Sequence, residues 1–217
     1  MDTIKYQLNA RRQPYGQGAD LSLLNESVGN EVLAFHQKFP DYRVTPLRKL
    51  EFLSQRLGLG SIHIKDEAQR FGLNAFKGLG GSYAMGKYLA ALLERDINTL
   101  SFAELNSPVI KARIKDIVFV TATDGNHGRG VAWAAEQLGL RAVVYMPKGS
   151  SPVRAQNIRR HGAECTITEL NYDDTVRLAA KTAREQGWVL LQDTAWQGYE
   201  QIPTWIMQGY MTLAVEI

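Results

Sequence analysis

Lys77 is the residue whose surroundings in the sequence most favour nucleophilic chemistry. It follows Phe76 and precedes the glycine-rich run of residues 78–81. An apolar neighbour excludes water from a lysine amine, which lowers its pKa, and glycines let the backbone approach a ligand closely. A lysine that forms a Schiff base needs this environment. The alternative is a solvated lysine that opens a glycine-rich helix, and this segment alone favours the alternative.

A second candidate segment is residues 121–130, with the sequence TATDGNHGRG. It follows an apolar run and precedes a helical pattern, so the helix N-terminus would offer free backbone amides to an anion such as a substrate carboxylate. Taken alone, Asp124 would be explained as an ordinary helix cap. His127 alone would be a hydrogen-bonded structural residue.

A third candidate segment, residues 192–199 with the sequence QDTAWQGY, follows an apolar run directly. Its carboxylate is Asp193. The alternative explanation is a turn aspartate that bonds to its own backbone. The aromatic residues around it are more often part of a core than contacts of a cofactor.

The elements that must position these segments alternate between strand and helix. We predict strands at 117–121, 142–146, 165–168 and 188–191, separated by helices that end near Gly139 or span 152–161 and 173–185. This alternation is typical of a parallel, doubly wound α/β sheet. Ligands of such sheets bind at the carboxyl ends of the strands, where two of the three segments lie.

The rest of the chain gives weaker patterns. We expect an extended arm up to about Gly29, a helix from Asn30 to Pro40, and a helix opened by Pro46 that runs to about Arg56. A short strand at 61–65, a helix from Gly81 to Leu93, short helical turns at 94–115 and an amphipathic helix from Thr204 complete the prediction.

Composition excludes several classes of protein. The chain has 217 residues and is 45% hydrophobic, which is ordinary for a globular protein. Its net charge of +3 mildly suits an anionic small ligand. No basic block with aromatic residues indicates nucleic acid, and no apolar run approaches a membrane span, so we expect a cytoplasmic protein. The histidines are too dispersed for a metal site, and the single Cys165 suits core packing.

Together the three segments resemble the fold-type II pyridoxal-phosphate enzymes of the tryptophan synthase beta-like superfamily. Residues 74–77, NAFK, stand where that superfamily has Ser-Phe-Lys, and residues 125–128, GNHG, stand where it has Ser-Gly-Asn-His-Gly. Asp124 replaces the usual serine. With this departure, the segments are similar to the ammonia-lyases of the superfamily that act on 2,3-diaminopropionate. The string IPTWIMQGY at 202–210 extends the resemblance, which covers the chain from about His36 onward.

The resemblance implies an α/β fold with a parallel three-layer sheet and pyridoxal 5'-phosphate as the cofactor, bound to Lys77 as a Schiff base. Phe76 and Asn126 would contact the cofactor, the latter at its phenolic oxygen. The resemblance also implies substrate contacts by residues of the other two segments, namely Thr123, Asp124, Gly125, His127 and Asp193. The implied catalytic residues are Lys77, Asp124 and Asp193.

The chemistry gives a reason for two aspartates. Elimination of a β-amino group needs a base for the α-proton, an acid for the departing amine and an electron sink. If Asp124 and Asp193 approach the α-carbon from opposite faces, each could serve one enantiomer, so that both D- and L-diaminopropionate yield pyruvate and ammonia. A positively charged β-amine would also be attracted to two carboxylates, whereas serine or threonine would gain less.

The resemblance also bears on domain organisation. Superfamily members are longer, so we expect a small inserted α/β domain at 84–196 and an incomplete large cofactor domain at 1–83 and 197–217. The phosphate-binding loop and the contact to the pyridine nitrogen would lie beyond Ile217. Apolar surface of the incomplete domain would be exposed, and the assembly would be a homodimer. The alternatives are a truncated remnant without catalysis and a related serine/threonine dehydratase or β-replacement enzyme, against which the two aspartates argue.

Overall fold

The computed structural model describes residues 9–12, 14 and 21–217. The helices in that part of the chain are α1 (Glu26–His36), α2 (Glu51–Leu57), α3 (Lys77–Leu92), α4 (Phe102–Leu105), α5 (Pro108–Ile114), α6 (Asn126–Leu138), α7 (Pro152–Arg159), α8 (Tyr172–Gln186), α9 (Gln201–Gly209) and α10 (Met211–Val215). The strands are β1 (Leu47–Lys49), β2 (His63–Lys65), β3 (Val118–Ala122), β4 (Arg141–Met146), β5 (Glu164–Ile167) and β6 (Val189–Leu190).

A four-stranded parallel sheet in the order β5-β4-β3-β6 carries the main core. Every residue of β3 is buried, as a strand covered by helices on both faces requires. The predicted parallel α/β fold is therefore confirmed, and its strands lie within one or two residues of their predicted positions. Cys165 is buried in β5, as expected.

Two predictions for the N-terminal part are wrong. α1 begins at Glu26 rather than Asn30, because the Asn25 side chain accepts a hydrogen bond from the Val28 amide and caps the helix. The earlier part of the predicted arm lies partly outside the described residues. Pro46 does not open a helix. It precedes β1, which pairs antiparallel with β2, and α2 begins only at Glu51.

Two further helices differ from the prediction. α3 begins at Lys77 itself rather than at Gly81, so the glycine run lies inside the helix. The predicted C-terminal helix begins at Gln201 and is divided into α9 and α10 at Tyr210. The cost of helical glycines is offset by the close helix contacts that they permit.

The first turns of α3 pack backbone against backbone on α6 and α9. A Cβ at Gly130 of α6 would lie 2.7 Å from the main-chain carbon of Lys77. A Cβ at Gly209 of α9 would lie 2.7 Å from the Cα of Gly80, and one at Gly80 would lie 2.8 Å from Ile206. Distances of this kind are tolerated only by glycine, so these residues set the position of Lys77 against both neighbouring helices.

A buried ion cluster joins the end of α10 to the segment that precedes Lys77. The side chain of Glu216 is 1% exposed, and its carboxylate lies 2.7 Å from both Arg70 Nη2 and Lys65 Nζ. Tyr42 donates a further hydrogen bond of 2.7 Å. Burial alone would raise the pKa of Glu216, but the hydrogen bonds from Arg70, Lys65 and Tyr42 lower it to about 2. The cluster therefore holds a charged Glu216.

The segment of residues 44–64 leaves much apolar surface exposed. Phe52 on α2 is 76% exposed. The other exposed apolar residues of this segment are Val44, Leu47, Leu53, Leu57, Leu59 and Ile64. Among the described residues, no helix has the length and apolar character needed to cross a membrane.

The glycine contacts predict that Gly130→Ala will destabilise the protein. The added methyl group meets main-chain atoms of Lys77 and Gly78 that have little freedom to move, so we expect the free energy of unfolding to fall by about 1–3 kcal/mol in urea titrations. Gly60→Ala is the matched control, because nothing lies within 4 Å of its Cβ position. Equal stability of the two variants would contradict the close packing.

The ion cluster predicts a pH-dependent effect of Glu216→Gln. The folded-state pKa of Glu216 is depressed, so its charge stabilises the fold above pH 4.5 and this contribution is lost as the pH falls towards 2. We expect a deficit of about 2 kcal/mol near pH 7 that shrinks as the pH falls from 4.5 towards 2, measured by chemical unfolding. Glu169→Gln, at a surface position with a side chain 86% exposed, is the control. A deficit that is independent of pH would refute this account.

Candidate active site

Lys77 and Asp193 are far apart in the sequence but in direct contact in the structure. Lys77 is the first residue of α3, and Asp193 lies in the loop after β6. Lys77 Nζ donates a hydrogen bond of 2.8 Å to Asp193 Oδ2. β6 is the parallel neighbour of β3, so this loop and the N-terminus of α6 lie at the same edge of the sheet.

An apolar wall covers one side of the Lys77 amine. Nζ lies 5.7 Å from the ring centre of Phe76 and 5.4 Å from that of Tyr210, and these two rings meet edge to face. The side chain of Lys77 is 28% exposed. The sequence predicted water exclusion by Phe76, and the structure adds Tyr210 to the same wall.

The predicted lowering of the Lys77 pKa is wrong for the protein in this state. Burial does lower the pKa, but the hydrogen bond to Asp193, the negative charge of that carboxylate and the neighbouring Tyr210 raise it by more. The amine is therefore held as an ammonium ion. The sequence could not show that a carboxylate 116 residues away would stand at contact distance from the amine.

The loop of Asp193 is fixed by buried hydrogen bonds. Gln192, fully buried, accepts through Oε1 from the Thr121 hydroxyl at 3.1 Å and from the Ala122 amide at 3.0 Å at the end of β3. The Tyr199 hydroxyl accepts from the Gln192 amide at 2.9 Å. Burial alone would raise the pKa of Asp193, but its electrostatic interactions with His127 and Lys77 and the hydrogen bond from Lys77 lower it. Asp193 is thus a carboxylate in a defined position.

His127 lies behind Asp193 in the first turn of α6 and is 4% exposed. Its Nε2 is 2.8 Å from the Leu191 carbonyl oxygen, and its Nδ1 is 3.6 Å from Asp193 Oδ2. Burial lowers the pKa of His127 and outweighs the opposing effect of Asp193. The imidazole is therefore neutral and faces the carboxylate of Asp193.

The remaining predicted residues of the second segment divide into two groups. Thr123 is buried, and its hydroxyl accepts hydrogen bonds from the amides of Gly125 at 2.9 Å and Gly128 at 3.1 Å, so it shapes the loop. Asp124 and Asn126 are exposed. The Asp124 side chain is 78% exposed and lies 3.9 Å from Arg154 Nη1, outside the contacts that join Lys77, Asp193 and His127.

Sequence reasoning missed three residues of the site. Tyr210 and Gln192 were parts of recognised strings, but no local pattern assigned them a role. Arg129 was missed as well, and its Nη1 donates to the Leu73 carbonyl oxygen at 2.9 Å, which ties the first turn of α6 to the segment before Lys77. Burial raises the pKa of Tyr210 to about 12. The signal that could have drawn attention to Tyr210 is its place beside Gly209, the glycine that contacts α3.

The donor set fits a small ligand with a carbonyl group and polar substituents. Lys77 supplies an amine, and two buried polar atoms close to it, the Tyr210 hydroxyl and His127 Nδ1, have no hydrogen-bond partner in the described part of the chain. Buried polar atoms without partners are costly unless a ligand or water completes them. A lysine amine near the carboxyl ends of a parallel α/β sheet is typical of α/β proteins that bind a small ligand through a lysine.

The comparison with protein families agrees with that class. The family described as pyridoxal-phosphate dependent enzyme matches residues 38–217. The chain therefore belongs to the pyridoxal-phosphate dependent enzyme family, and the family expected from the sequence is confirmed.

Two curated relatives are similar over nearly the whole chain. Diaminopropionate ammonia-lyase of Salmonella typhimurium is 78% identical over 215 residues, which are 99% of this chain and 53% of the relative. Diaminopropionate ammonia-lyase of Escherichia coli K12 is 49% identical over 216 residues, which are 100% of this chain and 53% of the relative. The chain spans about half the length of these relatives.

Solved structures of the Escherichia coli enzyme have the same fold. The apo form of diaminopropionate ammonia lyase superposes with a TM-score of 0.85 at 53% identity, covering 90% of this chain and 52% of that one. A structure of that enzyme in complex with an aminoacrylate-PLP azomethine reaction intermediate gives a TM-score of 0.82 at 52% identity, covering 90% and 48%.

The contact between Lys77 and Asp193 predicts the effect of Asp193→Asn. Loss of the negative charge removes the main support of the ammonium form, so the pKa of Lys77 should fall and the amine should react faster with an acylating reagent near pH 8. Each unit by which the pKa of Lys77 falls raises the unprotonated fraction of its amine about tenfold. The measurement is the pH dependence of Lys77 modification, followed by peptide mass spectrometry.

Asp124→Asn is the matched control for this prediction, because its carboxylate faces Arg154 and solvent. It should leave the modification rate of Lys77 unchanged. If both variants shift the rate equally, general surface charge rather than the specific contact would set the pKa of Lys77.

Proposed function

We propose that the chain supplies the reactive lysine and the bases of a pyridoxal-phosphate-dependent lyase that eliminates ammonia from 2,3-diaminopropionate and yields pyruvate and ammonia. The observation that carries the proposal is the 2.8 Å contact between Lys77 Nζ and Asp193 Oδ2, in a chain 78% identical to a diaminopropionate ammonia-lyase. The chain spans about half the length of this relative, so the activity of a protein of the relative's full length is part of the proposal.

The residues present suit pyridoxal 5'-phosphate. Lys77 would bind its aldehyde, Asn126 would donate to its phenolic oxygen, and Phe76 would cover the amine against water. The exposed side chain of Asn126 on the first residue of α6 supports this role. The bound cofactor would supply an electron sink for the electrons left on the α-carbon of the substrate.

The residues of the chain would move the protons. Asp193 is held as a carboxylate and is only 18% exposed, which suits a base that takes the α-proton of one enantiomer. Asp124, on the loop at the start of α6, would serve the other enantiomer. Loss of the α-proton and of the β-amine gives aminoacrylate, and water converts this product to pyruvate and a second ammonia.

Substrate preference would follow from charge. The β-ammonium group of diaminopropionate is attracted to carboxylates, whereas the hydroxyl group of serine or threonine is neutral. A dehydratase of the same family is therefore the less favoured activity. Thr123, Gly125 and His127 would contribute to the substrate pocket mainly by holding Asp124 and Asp193 in place, as their hydrogen bonds and contacts support.

A second candidate is a chain that keeps the fold without catalysis. The exposed apolar surface of residues 44–64 supports it, because such surface is normally covered by a partner or by further protein. The same surface supports a homodimer. The division into a small domain at 84–196 and a partial large domain, the homodimer and the cytoplasmic location all stay predictions.

The test is to add pyridoxal phosphate to the purified chain, reduce with borohydride and map the pyridoxyl adduct. We expect a visible absorption band and an adduct on Lys77, because Lys77 is the amine with an apolar wall and a carboxylate partner. Lys87→Arg should retain the band and Lys77→Arg should lose it. An adduct on another lysine, or none, would refute cofactor binding at Lys77.

Pyruvate release then separates the activities. D- and L-diaminopropionate should both be better substrates than serine, and Asp193→Asn and Asp124→Asn should each abolish activity towards one enantiomer. Retention of both activities in both variants would overturn the assignment of two bases.

A further inference from the structure

His127 Nδ1 is a buried polar atom without a hydrogen-bond partner in the described chain, and it faces the base Asp193. The ring is 4% exposed, and Nδ1 lies 3.6 Å from Asp193 Oδ2, too far for a hydrogen bond but close enough for one to form with a small rotation. Orphaned atoms of this kind in a native structure call for a physical explanation.

The tautomer of His127 follows from its other nitrogen. The Leu191 carbonyl oxygen can only accept, so Nε2, at 2.8 Å, must carry the proton. The ring is neutral because burial lowers its pKa. Nδ1 therefore presents a lone pair to a carboxylate oxygen, and two acceptors face each other without a proton between them.

Lys77 makes this arrangement tolerable. Its ammonium group donates to the same oxygen, Asp193 Oδ2, at 2.8 Å and neutralises the carboxylate. A reaction that uses the amine of Lys77 as a nucleophile needs its unprotonated form, so the positive charge that neutralises Asp193 Oδ2 is lost. Of the ion-pair contacts of Asp193 Oδ2 in the described part of the chain, the one with His127 Nδ1 then remains.

We propose that His127 is a positioning residue for Asp193. Once Lys77 no longer donates to Asp193 Oδ2, the proton that Asp193 takes up passes to Nδ1 of His127. The inference rests on the proposed function, since it assigns a partner to the base of that site. In the step, the O–H bond of Asp193 breaks and the N–H bond of Nδ1 forms. The ring becomes an imidazolium ion that keeps its Nε2–H bond to Leu191, and Asp193 regains its charge.

The proposal gives His127 a role other than packing. The charged groups that act on the ring are Asp193 and Lys77, and they act in opposite directions on its pKa. An imidazolium ion between Leu191 and Asp193 would fix the carboxylate by hydrogen bonding from one side and leave its other oxygen for substrate. A packing residue would keep its neutral form whatever happened at Lys77.

Nitrogen-15 NMR of the histidine side chains in the cofactor-free chain tests the proposal without any need for catalysis. In the unsubstituted protein we expect His127 to be the neutral Nε2–H tautomer near pH 7. In Lys77→Met, which removes the amine, the pKa of His127 should shift upward and Nδ1 should become protonated near pH 7. Lys77→Gln should give the same result.

The double variant Lys77→Met/Asp193→Asn decides the cause. If Asp193 holds the proton with His127, this variant returns the ring to the neutral tautomer. A ring that stays neutral in Lys77→Met would overturn the proposal, because His127 would then not respond to the loss of Lys77. A ring protonated equally in the double variant would also overturn it, because His127 would then respond only to the lost charge of Lys77. Failure of pyridoxal phosphate to bind would leave this result unaffected, so the two proposals fail separately.

Two controls complete the experiment. The signals that disappear in His127→Gln are those of His127. His36, which is fully buried with Nε2 3.0 Å from the Leu79 carbonyl oxygen, should keep its shifts in every variant and so reports that the fold is intact.

Discussion

The close backbone contact of α3 with α6 and α9 is the constraint on which the site depends. Lys77 opens α3, and the loop with Asn126 and His127 opens α6, so the distance between these helices decides what the amine can reach. Gly130 lets the main chain of α6 meet that of Lys77, and Gly209 does the same for α9 at Gly80. Larger side chains would push the helices apart and move the amine away from Asp193.

The segment before Lys77 is held from two sides in a conformation that is unfavourable by itself. Phe71 and Asn74 have positive φ angles of 51° and 52°, which cost non-glycine residues roughly 1–2 kcal/mol each. Arg70, fully buried with Glu216, anchors its beginning, and Arg129 binds the Leu73 carbonyl oxygen. The conformation persists because the surroundings determine it, as is common for segments that deliver a reactive group.

The sequence predicted the features that depend on local patterns. Buried strands and the helices between them follow from periodicity, and the motifs around Lys77, Asp124 and Asp193 indicated the family. It failed where a distant contact overrides the local pattern. β1 after Pro46 needs its partner β2, and the raised pKa of Lys77 needs Asp193. The orientation of His127 could not be predicted either, since it depends on a carbonyl group at the end of another strand.

The two aspartates are chemically different because their environments differ. Asp193 is 18% exposed and bonded to Lys77, whereas Asp124 is 78% exposed beside Arg154. A carboxylate in a buried, ordered position is oriented before substrate arrives, while a solvated one must be desolvated by the substrate before it can act as a base. Under the proposed function, one enantiomer would therefore meet a base that is already in place, and the other would have to order Asp124 by its own binding. A shared reaction does not imply equal use of the two residues.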